Sequence, residues 1–162
     1  MRGTSSTSFA EVLRQTESAL AGNRDGLEAA AQELFSVADA IDSSNQLVRT
    51  LSDPGRPAEV KEATVRSLFG DRVSPRTLEA CLEVVRRRWS EQEDILDALE
   101  LLGVSTLLEQ AQSEGVLEQV EGDLFEISRL IDDSGDLTAT LDGLRENPSQ
   151  RATMLSALLN GR

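Results

Sequence analysis

The sequence predicts an all-α protein, a six-helix bundle followed by a partial second copy of the same helical unit, and three observations carry that prediction. Apolar residues recur three and four positions apart through most of the chain, which is the spacing of one helix face. No segment sustains the alternation of a strand, and the β-branched residues are dispersed among helix formers. Finally, "ELFSVADAID", beginning at Glu33, returns ninety positions later as "DLFEISRLID", beginning at Asp123.

Phe9, Val12, Leu13, Thr16 and Leu20 follow a serine-rich start at helical spacing and predict a first helix over about Ser6 to Ala21. "GNRDG" ends it. Leu27, Ala31, Leu34, Ala38 and Ile41 then place one apolar stripe on a second helix, from about Asp25 to Asp42. Ser43 and Ser44 break that helix and cap a short third one carrying Leu47 and Leu51. It stops at "SDPG", because Pro54 disfavours helix at Asp53 and Gly55 supplies a turn. Pro57 suits the first turn of a fourth helix, whose Val60, Thr64 and Leu68 line one side until Gly70. Ser74 and Pro75 read as cap and first residue of a fifth helix running through Leu78, Cys81, Leu82, Val85 and Trp89. Ser90 with Glu93 makes a capping box for a sixth, which runs through Ile95, Leu99 and Leu102 toward Leu108, with Gly103 as the place for a kink.

Sliding the sequence by ninety pairs Leu27 with Leu117, Leu34 with Leu124, Phe35 with Phe125, Ile41 with Ile131, Leu51 with Leu141 and Leu68 with Leu158. Mostly apolar positions match, as a shared packing face requires. The sixth helix aligns with the first, Thr106 over Thr16, so one helix is placed to serve both copies. Residues 1–112 are therefore expected to form an N-terminal six-helix bundle, and 113–162 a partial repeat holding helices two to four of a second copy. With no fifth helix in that copy, Leu124, Ile127, Ile131, Leu155 and Leu158 are expected to lack cover.

Composition removes whole classes of function. Sixteen basic against 29 acidic residues give a net charge of -13, which repels phosphate backbones and argues against nucleic acid. No apolar run approaches the length of a bilayer span, and nothing resembles an export leader, so a protein of the cytoplasmic side is expected. With no histidine and no tyrosine, imidazole-based triads, zinc sites and di-iron motifs are excluded. "DDSGDLTATLDG" imitates a calcium loop at Asp132, Ser134 and Asp136. It fails at Leu137, where the turn glycine belongs, and at Gly143, where the bidentate glutamate belongs, so it reads as an acidic helix-helix turn. No glycine cluster resembles a phosphate loop. Neither cofactor nor metal is expected, and Asp132 with Asp133 is only a remote carboxylate pair for an enzyme. Cys81 has two readings, a buried small hydrophobe or a reactive thiol.

One stretch carries a more specific signal. In "NQLVRTLSDPGRPAEVKEATVRSLFGDRVSPRTLEACLEVVRRRW", a short helix ends at Asp53-Pro54 and the next carries Glu59 with Lys61. That helix ends in Leu68-Phe69-Gly70, and Ser74-Pro75 opens its successor. In order and spacing this resembles the N-terminal six-helix domain of the ATP synthase delta subunit family, called oligomycin-sensitivity-conferring protein in mitochondria. The resemblance covers roughly residues 6 to 102, with "SFAEVL" in place of the family's tyrosine-alanine opening. The arginine-rich, lysine-poor composition and the duplication are similar to the enlarged delta subunits of actinobacteria.

The resemblance implies a non-catalytic stator subunit of the proton-translocating ATP synthase, held peripherally at the cytoplasmic face of the cell membrane through the complex. The implied partners are the N-terminal helix of an alpha subunit, in a groove between the first and fifth helices, and the b subunit of the peripheral stalk. Val12, Thr16 and Leu20 of the first helix, with Ala80, Val84 and Arg88 of the fifth, are then expected to face the alpha helix. On that reading Val84→Asp spares the fold while Leu82→Asp breaks it. Burial of the fifth helix on both sides is the competing reading. In function the alternative is a free-standing all-helical adaptor for some other amphipathic helix. Arg86, Arg87 and Arg88 either meet the C-terminal helix dipole or dock acidic partner residues. From Ser90 to Ser128 there is no basic residue and eleven acidic ones, either a solvated face or a means of steering a basic helix.

Overall fold

The computed structural model describes residues 1, 3–21, 26–143 and 148–160, and their side chains except those of 17–21, 148–149 and 158–160. The described residues form helices and no strand: α1 (Thr4–Ala21), α2 (Leu27–Asp42), α3 (Asn45–Ser52), α4 (Ala58–Phe69), α5 (Pro75–Arg86), α6 (Asp94–Glu114), α7 (Leu117–Asp133), α8 (Gly135–Gly143) and α9 (Pro148–Asn160). The protein is all-α. It divides into two compact units, Met1–Gly115 and Val116–Arg162.

In the first unit the stripe read from α2, Leu27, Ala31, Leu34, Ala38 and Ile41, is buried throughout and packs chiefly on α6. Val12, Leu51, Val65, Leu82, Ile95, Leu99 and Leu102 complete the centre of the core. Fully burying one such aliphatic side chain contributes roughly 1.5–3 kcal/mol, so this set dominates the unit's stability. The turns follow the sequence logic. Ser44 caps α3 by accepting the Leu47 N–H at 3.3 Å, and Asp53 Oδ1 accepts the Gly55 N–H at 2.8 Å where that helix stops.

Several expectations are corrected. Pro57 stands one residue ahead of α4, as its cap. Val60, Thr64 and Leu68 do share a side of that helix, but Val60 and Leu68 are exposed. The core side is Lys61, Val65 and Phe69, one position on, because a lysine stem packs like an aliphatic chain. Burial pushes the Lys61 pKa down, with Asp53 opposing and Arg56 and Arg88 adding to the shift. Helix α5 stops at Arg86, so Trp89 lies beyond it, its indole N–H donating to the Val84 carbonyl at 3.0 Å.

No capping box forms between Ser90 and Glu93, since α6 begins at Asp94 with Glu93 in the cap position and no side-chain cap bond. A longer-range tie takes its place. The buried Asp94 carboxylate accepts the Ser5 hydroxyl at 2.5 Å and the Glu91 N–H at 3.1 Å, while Ser5 Oγ accepts the Ser90 N–H at 2.7 Å. Helix α6 continues through Gly103 to Glu114, as expected of a glycine inside the helix. Its backbone is the seat of the Phe35 ring: a methyl at Gly103 would stand 2.6 Å from Phe35 Cε1.

Four helix starts recur at the repeat spacing: Thr4 and Asp94, Leu27 and Leu117, Asn45 and Gly135, Ala58 and Pro148. Local chemistry recurs with them. Ser134 accepts the Leu137 N–H at 3.3 Å, as Ser44 does that of Leu47. Thr16 and Thr106 each donate to the carbonyl four residues back, at 2.8 Å. In the second unit α7 has no buried residue, and its Leu124, Phe125 and Leu130 are exposed, Phe125 by 66%. Ile127, Ile131 and Leu155 are half-buried, Leu158 lies outside the described side chains, and Leu141 of α8 is buried.

Candidate functional site

Helix α5 is the axis of the candidate site. Pro75 opens it with the ring geometry a first helical position favours. Ser74 does not cap it by its own side chain; Glu33 of α2 takes over instead. The Glu33 carboxylate accepts the Ser74 N–H at 3.1 Å, the Ser74 hydroxyl at 2.7 Å and the Thr77 hydroxyl at 2.5 Å. Burial works to raise the Glu33 pKa, yet these bonds and nearby Arg76 hold it below the usual carboxylate range. A negative charge at a helix start is also the favourable sign for the dipole. From that anchor α5 packs against α1, α2, α4 and α6, burying Thr77, Ala80, Cys81, Leu82, Val84 and Val85.

Burial on both sides therefore describes helix five. Val12, Thr16, Ala80 and Val84 are 0%, 3%, 2% and 0% exposed, so the residues expected to face a partner lie in the core beneath the α1–α5 seam. Leu20 lies outside the described side chains. Of the expected set, Arg88 alone is shown exposed; its backbone carbonyl accepts the Ser8 hydroxyl at 2.6 Å and ties the end of α5 to α1. Ala80 and Val84 are small enough to let α1 pack closely on α5.

What lies open along the seam is charged. Arg14 grips Glu11 through Nη2 and Nε at 2.6 and 3.0 Å, and Glu11 lies 3.9 Å from Arg87. Arg87 donates to Glu83 at 2.7 Å, and Glu83 also accepts from Arg86. Arg86 in turn reaches Glu62 of α4 at 2.9 and 3.1 Å and Glu79 at 2.9 Å. One ladder of ion pairs thus crosses from α1 over α5 to α4. The hydrogen bond from Arg14, then that from Gln15, hold the Glu11 carboxyl at about 2. Burial raises Glu83, but Arg87 and Arg86 outweigh it and leave its pKa lowered. A depression of about 450 Å³ opens beside this ladder, lined by Thr4, Thr7, Ser8, Ala10, Glu11, Arg14 and Arg87. Among the described residues Arg87 Nε is buried without an acceptor, an arrangement that typically costs about 1–3 kcal/mol.

Sequence reading missed Glu11, Arg14, Glu83 and Arg87 as a set. The signal was present, since Glu11 with Arg14 and Glu83 with Arg87 stand at the three- and four-residue spacings of paired helical charges. Burial, then the Glu33 charge, push the Cys81 thiol up to about 12, which makes it an inert core residue. Among the described residues no group of three or more acidic or cysteine side chains could hold a metal. Ser134, between Asp132 and Asp136, is the cap of α8 in a helix-helix turn. No described helix is long and apolar enough to cross a membrane.

No family model matches the chain. Among curated proteins it is 33% identical over 162 residues to an ATP synthase subunit delta of Beutenbergia cavernae. It is 34% identical over 164 residues to that of Corynebacterium aurimucosum and 34% over 163 residues to that of Thermobifida fusca. Each alignment takes in 100% of this chain and 60% of the relative. The chain thus spans about 60% of the length of these relatives.

Proposed function

We propose, from the premise that this chain belongs to the ATP synthase delta subunit family, that it is a non-catalytic stator subunit, tying the catalytic hexamer to the peripheral stalk. The observation that carries the proposal is similarity along the whole chain to several proteins of that name. The role is mechanical: a clamp resists torque by stiffness and binding and needs no reacting group. An amphipathic helix from the N-terminus of an alpha subunit lies along the α1–α5 seam, and the b subunit of the stalk is held at a separate surface. The protein thereby sits peripherally at the cytoplasmic face of the membrane.

The buried set then has a different part from the one its sequence implied. Val12, Thr16, Ala80 and Val84 form the rigid floor of the seam, and the surface an incoming helix meets is Thr7, Ala10, Glu11, Arg14 and Arg87, with Arg88 at its end. Ala10 and the threonine methyls offer a shallow apolar strip, and the guanidinium groups offer bidentate partners for carboxylates. Calorimetric titration with the N-terminal peptide of the cognate alpha subunit is the test. Binding by the wild-type chain that falls at least about tenfold in Arg14→Glu and Arg88→Glu, with melting unchanged, is expected. Failure of the wild-type chain to bind would sink the stator reading in favour of an adaptor for another helix. Binding untouched by either charge reversal would move the site away from the seam.

A further inference from the structure

The buried side of α6, Ile95, Leu99, Leu102 and Thr106, is consumed by the core. Its solvent side should be polar throughout, yet it carries three aliphatic residues. Leu101, Val104 and Leu108 are 44%, 44% and 37% exposed, at positions that align along one face over about 10 Å of helix. Single exposed leucines are ordinary, but three in line on one helix are the pattern by which helices recognise one another.

The surroundings specify the partner's charge. Asp97, Glu100 and Glu109 are exposed on the same helix, and no basic residue occurs between Ser90 and Ser128. Partial desolvation, then Asp97, Asp39 and Asp42, raise the Glu100 pKa, as expected where like charges crowd without a counter-ion. The repeat adds a second, independent comparison. Ninety positions before Leu101 and Val104 stand Glu11 and Arg14, the ion pair that faces Arg87 across the α1–α5 seam. On α6 that pair is replaced by two aliphatic side chains.

We infer that the Leu101–Val104–Leu108 stripe is a second docking surface, taking an amphipathic helix whose own apolar stripe is flanked by lysine or arginine. Apolar burial supplies the affinity and the carboxylates supply orientation and encounter rate, so binding weakens but survives as salt rises. The inference rests on this helix alone and stands whether or not the seam takes an alpha-subunit peptide.

A labelled amphipathic leucine-lysine peptide, followed by fluorescence anisotropy against the full chain, tests it. Leu101→Ser/Val104→Ser keeps the charge and removes the stripe; equal helicity and melting temperature show that its fold is intact. Binding by wild type, a loss of at least about tenfold in the double variant, and no binding of the matching leucine-glutamate peptide are expected. Equal affinity of wild type and double variant would overturn the proposal, reducing the contact to diffuse charge attraction. Sedimentation showing a wild-type dimer that the double variant abolishes would overturn it too, by assigning the stripe to a second copy of the chain.

Discussion

The Phe35 ring lies against the bare backbone of Gly103, with Cε1 only 2.6 Å from where a side-chain methyl would begin. Gly103→Ala would gain about 1 kcal/mol of helix propensity but must displace a packed aromatic ring, which typically costs about 1–3 kcal/mol. A lower melting temperature is expected, with part of the loss restored by adding Phe35→Leu. A rise in melting temperature on Gly103→Ala alone would show that the ring moves freely.

Glu33 ties α2 to the start of α5, so Glu33→Gln should destabilise the first unit by about 2 kcal/mol, the scale of charge-assisted hydrogen bonds. The pH dependence has a definite sign. The folded pKa is below the ordinary value of 4.5, so Glu33 adds stability above that pH, and the gain is lost as pH falls through the folded value. Urea titrations across that window should fall less steeply with acid for Glu33→Gln than for wild type. Parallel pH profiles would contradict the assignment.

Val84→Asp now has the opposite expectation from the one its sequence position invites. Val84 is fully buried, and an unpaired carboxylate there costs several kcal/mol, so this variant should melt early or fail to fold, as should Leu82→Asp. Arg88→Glu, exposed just beyond the end of the same helix, should fold normally. Near-wild-type melting of Val84→Asp would reinstate an open groove.

Truncation after Gly115 keeps the whole of the first compact unit, including the α6 residues that cover α2. A helical fragment with a sharp, two-state thermal transition is expected. A broad melt by circular dichroism would mean that residues from Val116 onward contribute to that core.

Most of the fold could be read because helix periodicity is a local signal. The Leu27 to Ile41 stripe and the Ser44 cap each depend on residues within a few turns of one another, and the repeat spacing needs only the sequence compared with itself. What failed was long-range. Ser5, Ser90 and Asp94 displaced a plausible capping box through a contact spanning 89 positions. What Gly103 seats could not be read, because its client, Phe35, is remote in sequence. Ala80 and Val84 were apolar in the right places, but periodicity cannot tell whether a second apolar side is filled by another helix of the same chain or left for a partner. The ladder from Glu11 to Glu62 joins three helices, and only its i,i+3 and i,i+4 rungs were available to the reader of the sequence.

Lys61, packed at 4% exposure on the core side of α4, is the chain's single lysine; every other basic residue is arginine. Acylating reagents that attack primary amines therefore find one side-chain target, shielded while the helix is seated and open to attack once it is released. The rate at which Lys61 is acylated becomes a clock for the opening of α4 alone. A bound partner that stiffens the bundle would slow that clock without touching the lysine, so one mass-spectrometric peak can report on occupancy elsewhere on the molecule.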